Sequence, residues 1–143
     1  MKKRFLGIDY GSRRIGIAVS DPLNIIARGV TVVESSPRAI GEIKRLAEEF
    51  DVEKVVVGFP LTLRGETGSK ADEVNDFIER LGRELDREIV RLDERFTTLM
   101  AQQTLRDMGV KKKKREKKGA VDEMAAALIL QQYLDSCQSP EQR

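Results

Sequence analysis

Three apolar, β-branched runs open the chain, and the connections between them are too short for a crossover. Residues 4–9 (RFLGID) and 14–20 (RIGIAVS) are joined by a tight turn, and 28–34 (RGVTVVE) follows closely. Parallel neighbours need a connection of a dozen or more residues, so this opening predicts an antiparallel meander. The pattern then changes. Ser36–Pro37 is a helix start, with Pro at the first helical position and a serine able to cap. Ile40, Ile43, Leu46, Ala47 and Phe50 follow at helical spacing. The next run, VEKVVVGFP, is continuously apolar and suits a buried strand with parallel neighbours.

Residues 61–68 (LTLRGETG) read as a loop, and Ser69 with Asp72 resembles a capping box. The helix that follows carries Val74, Phe77, Ile78, Leu81 and Leu85 on one face. REIVRLDE is the fifth strand, Thr97 opens a helix that stops at Gly109, and a final helix spans 121–135. That last helix is apolar on most sides and is expected to be heavily buried. Three strands, then helix, strand, helix, strand and two helices make an α/β domain with a mixed sheet and right-handed crossovers. Residues 1–135 form one domain and 136–143 a flexible C-terminal tail.

Composition narrows the chemistry. The 143 residues contain no histidine and one cysteine, Cys137. A His general base, a Ser–His or Cys–His pair and a structural zinc site are therefore excluded. No stretch is long and apolar enough to span a membrane. The basic start lacks the apolar segment of a signal peptide, and a lone cysteine suits the reducing cytoplasm. The formal net charge of +2 conceals an asymmetry. The run KKKKREKK at 111–118 carries a local charge of +6, leaving a net of −4 on the rest. One concentrated basic segment on an acidic body suggests contact with a polyanion, against the plainer reading of a solvated loop.

Three acids stand out at element ends. Asp9 closes the first strand just before the turn of GSRRIG, where a carboxylate is costly to bury without a partner. Asp93 and Glu94 close the fifth strand, at the edge where open α/β sheets place ligands. Adjacent strand residues face opposite ways, so one of this pair is expected to face a pocket, and alternation does not choose between them. Arg95 is placed to pair with a carboxylate or touch a phosphate. Asp122 opens the final helix, where an acid is also favoured by the helix dipole. It shares a face with Ala125, Ala126 and Ile129, which should turn inward, whereas Glu123 has the better claim to solvent. Carboxylates without histidine suit Mg²⁺ or Mn²⁺, and a pair of such ions can activate water against a phosphodiester. The basic run just before Asp122 would steer a nucleic-acid backbone towards that edge. Nucleotide-loop readings fail on spacing: GIDYGSRRIG is not G-x-G-x-x-G and leads into a strand, and GETGSK has too short a first gap.

Taken together, FLGIDYGSRRIGIAVSD, VVVGFPLTLRGETG, LDERFTT and VDEMAAALILQQYL resemble the YqgF/RuvX family of Holliday junction resolvases, within the ribonuclease H-like superfamily. The resemblance covers residues 4–135. It implies a five-stranded sheet of order 3-2-1-4-5, its first three strands antiparallel, flanked by helices. It implies Asp9, Glu94 and Asp122 as a catalytic, metal-holding trio for Mg²⁺ or Mn²⁺, with two ions expected. The glutamate of the DER motif selects Glu94 over Asp93. Gly58, Pro60, Leu61 and Gly65 match a loop motif at the site's rim. In the wider superfamily the second acid ends the strand after the first helix. Here that strand ends in Gly58-Phe59-Pro60, and the acid stands one strand further out.

With the resemblance, Gly11, Arg14, Arg95, Lys111, Lys112, Lys113, Lys114, Arg115, Lys117 and Lys118 become the expected nucleic-acid contacts. The implied function is cytoplasmic processing of the 5′ end of pre-16S rRNA by a nuclease, acting on structured RNA as a monomer or homodimer. The alternatives are resolution of branched DNA and non-catalytic RNA binding during ribosome assembly. A two-lobed sugar-kinase-like ATPase would need more chain than is present.

Overall fold

A computed structural model of the chain describes residues 3–59, 69–93 and 120–138. Five strands, β1 (Arg4–Asp9), β2 (Arg14–Ser20), β3 (Ala27–Glu34), β4 (Val52–Phe59) and β5 (Glu88–Asp93), form one sheet of order β3-β2-β1-β4-β5. The short early connections have the predicted effect: β1–β2 and β2–β3 are antiparallel, whereas β1–β4 and β4–β5 are parallel. Three helices lie among the described residues, α1 (Ala39–Glu49), α2 (Ser69–Glu84) and α3 (Ala120–Gln138). The helix expected from Thr97 to Gly109 falls outside them.

Strand alternation sorts the core into two layers. Leu6, Ile8, Ile15, Ile17, Val19, Val55 and Val57 pack with α1 and α2 on one face. Ala18 and Val56 pack on the other against Ala126, Ile129, Leu130 and Leu134 of α3. Two local expectations shift. Helix α1 begins at Ala39 instead of Pro37, because Ser36 forms a turn in which its carbonyl accepts from Ala39 N and its Oγ from Arg38 N. Helix α3 continues to Gln138, past the expected end at 135, and Ser136 Oγ donates to the Tyr133 carbonyl at 2.7 Å.

What seats α3 is a row of glycines beneath it. A Cβ on Gly7 would stand 2.7 Å from Leu130 Cβ, and one on Gly16 2.1 Å from the Asp122 carbonyl oxygen. On Gly29 it would stand 3.0 Å from Glu123 Cβ. Each of three adjacent strands thus removes a side chain where the helix crosses it. The close approach expected from the alanines of α3 is completed from the sheet side.

Candidate active site

Asp9 and Asp122 come to the same place by different routes. Tyr10 turns to the α1/α2 layer and stacks on Phe77, ring centroids 4.7 Å apart. Gly7 meets α3 on the opposite face. By the two-residue repeat, Asp9 shares the α3 face with Gly7. Its partner across the antiparallel ladder is Gly16. The backbone of Asp122 rests on that same Gly16. The two residues therefore stand on the same face over one glycine, at the end of the sheet where β1 finishes and β2 begins.

Helix burial supports the orientation. Ala125, Ala126 and Ile129 are buried, as their shared face with Asp122 requires. Glu123 is less solvated than expected: its Cβ packs near Gly29, and it lines an open groove of about 760 Å³ with Arg13, Arg14, Thr31, Glu34 and Ser35. The groove reaches Arg14, the partner of Asp122, on the β2–β3 side.

Arg14 has a partner that the sequence does not show. Its Nε donates to Asp122 Oδ2 at 2.8 Å, an ion pair linking β2 to the first turn of α3. Local periodicity points to no partner so far along the chain, and the ion pair leaves the expected phosphate contact of Arg14 open to proposal. Gly11 supports it: a Cβ there would sit 2.5 Å from the Arg14 carbonyl oxygen, so the β1–β2 turn closes only around glycine. Gly58 is buried at the end of β4, one residue past the Ile8–Val57 pair and thus level with Asp9.

Glu94, Arg95, Pro60, Leu61, Gly65 and the basic residues Lys111, Lys112, Lys113, Lys114, Arg115, Lys117 and Lys118 lie outside the described residues. Among the described residues no three acids, histidines or cysteines group closely enough to hold a metal ion. Also among them, no helix is long and apolar enough to cross a membrane.

A mixed sheet of order 3-2-1-4-5 whose first three strands are antiparallel, with helices packed on it, is a ribonuclease H-like fold. Solved structures share this fold. The Fowlpox virus resolvase bound to Holliday junction DNA superposes with a TM-score of 0.57 at 12% identity, covering 95% of this chain and 99% of that one. Thermus thermophilus RuvC with a Holliday junction substrate gives 0.55 at 18% identity, covering 96% of each. The family model for RuvX, described as Holliday junction resolvase, matches residues 3–136. The chain belongs to the RuvX family of nucleases. A Chloroflexus aggregans relative is 43% identical over 141 residues, covering 97% of this chain and 98% of the relative. One from Acetivibrio thermocellus is 44% identical over 137 residues, 93% and 96% of the two chains. Both carry pre-16S rRNA nuclease as a provisional name.

Proposed function

We propose that this protein is a divalent-metal-dependent phosphodiesterase that trims the 5′ end of pre-16S rRNA in the cytoplasm, with Asp9, Glu94 and Asp122 as the catalytic acids. The observation that carries the reading is the meeting of Asp9 and Asp122 over Gly16. The donor chemistry fits a hard cation: two carboxylates stand on one face in a chain without histidine. Asp9, Glu94 and Asp122 would hold Mg²⁺ or Mn²⁺, as one ion or two. When bound, the metal supplies an activated water and charge stabilisation for the leaving oxygen.

Glu94 enters this reading through the resemblance of LDERFTT to the family's motif, in which the glutamate of DER is the acid. The groove that Arg14 lines, with Arg13 and Ser35 in its wall beside Glu34 and Glu123, would give a nucleic-acid backbone a path towards the acids. The basic run 111–118 adds a long-range pull on that backbone.

The test is cleavage of a 5′-extended 16S rRNA precursor with Mg²⁺ or Mn²⁺, comparing the wild type with Asp9→Asn. The reading expects cleavage that vanishes in the variant and on addition of EDTA. Cleavage persisting in Asp9→Asn with EDTA present refutes it. A four-way DNA junction in the same assay separates the two polyanions: paired symmetric nicks there, with the rRNA precursor untouched, would transfer the activity to branched DNA.

A further inference from the structure

Asp122 does not stand open. Its Oδ2 already accepts a hydrogen bond from Arg14 Nε at 2.8 Å, with the two side chains 24% and 35% exposed respectively. Arg14 in turn lines the groove with Ser12, Arg13, Thr31 and Ser35, and the groove also carries Glu34 and Glu123. One guanidinium thus lies within reach of both the acid and the path of a polyanion.

We propose that Arg14 is an exchangeable counter-ion. In the metal-free protein it neutralises Asp122. When a divalent ion takes that carboxylate, the guanidinium is released towards the groove and pairs with a substrate phosphate. The proposal rests on the metal reading of Asp122 given above.

Three physical facts favour exchange over a fixed brace. A partly exposed ion pair is weak, because water screens it and the long arginine side chain loses freedom in it. Bringing a dication to a carboxylate that keeps its arginine sets two positive centres against each other. A displaced guanidinium has five donors arranged for phosphate oxygens, so it moves to a partner of equal chemistry. The exchange would make strong phosphate binding conditional on a loaded site.

The test is Mn²⁺ binding by titration calorimetry, without nucleic acid, on the full chain and on Arg14→Gln, Arg14→Lys and Asp122→Asn. The expected result is Mn²⁺ affinity about fivefold tighter in Arg14→Gln, because the ion no longer displaces a cation. Arg14→Lys keeps the charge and should stay close to the wild type. Unchanged or weaker binding in Arg14→Gln, with binding lost in Asp122→Asn, overturns the exchange and leaves the metal reading standing. Undiminished binding in Asp122→Asn overturns both. A second readout uses fluorescence anisotropy of a structured RNA. Arg14→Gln should weaken RNA binding more with Ca²⁺ present than in EDTA. Equal weakening under both conditions overturns the proposal.

Discussion

Gly16→Ala is the substitution that most directly probes how the acids are brought together. Gly16 has an ordinary backbone for an L residue, so the effect is steric. The new methyl would lie 2.1 Å from the Asp122 carbonyl oxygen and 2.6 Å from its carbon, where ordinary contact begins at 3.4 Å. The first turn of α3 must therefore retreat by about 1 Å, since backbone atoms cannot rotate away as a side-chain end can. Overpacking of this kind costs about 1–3 kcal/mol. For a chain of this length that corresponds to a fall in Tm of roughly 3–10 °C. The displacement also carries Asp122 away from Asp9, and a misplacement of about 1 Å can cost on the order of 100-fold in rate.

Gly7→Ala is the control. Its methyl would meet Leu130 Cβ at 2.7 Å and the Ala126 carbonyl at 2.9 Å, about two turns and one turn further along α3 than Asp122. It should lower Tm comparably while sparing most of the activity. Thermal denaturation followed by circular dichroism, paired with precursor cleavage under saturating metal, separates the two effects. Wild-type Tm and activity in Gly16→Ala would refute the reasoning, as would equal activity losses in both variants.

Two further outcomes follow from contacts away from the site. Asp21 Oδ1 accepts from Ile25 N at 2.7 Å and Ile26 N at 2.9 Å, and the Ile26 and then the Ile25 bond lower its pKa from 3.8. Because the folded value is depressed, its contribution is present above pH 3.8 and lost as pH falls through the lowered value. The hydrogen-exchange protection that Ile25 and Ile26 lose in Asp21→Ala at neutral pH should therefore weaken in the wild type as well on acidification; protection independent of pH would contradict this. Lys54 Nζ donates to Tyr133 Oη at 2.9 Å while lying over the Phe5 and Tyr133 rings. Tyr133→Phe keeps the ring contacts and should lose about 1 kcal/mol in urea unfolding, and an unchanged midpoint would show the bond to be energetically idle.

Much of this was legible along the chain, because it depends on neighbours in sequence. Strand runs, the length of their connections and the period of apolar residues are local quantities. They set three antiparallel strands followed by parallel ones before any packing is known. Asp9 and Asp122 were legible for the same reason, as acids at the ends of recognisable elements.

Tertiary structure decided what the ends do to one another. Arg14 and Asp122 are 108 residues apart, and their pairing depends on the helix settling into a bed that Gly7, Gly16 and Gly29 each supply from a different strand. A glycine's missing side chain carries no periodic signal, so Gly16 reads in sequence as a weakness in a strand. Only the arriving helix turns that gap into the seat that sets one carboxylate beside the other.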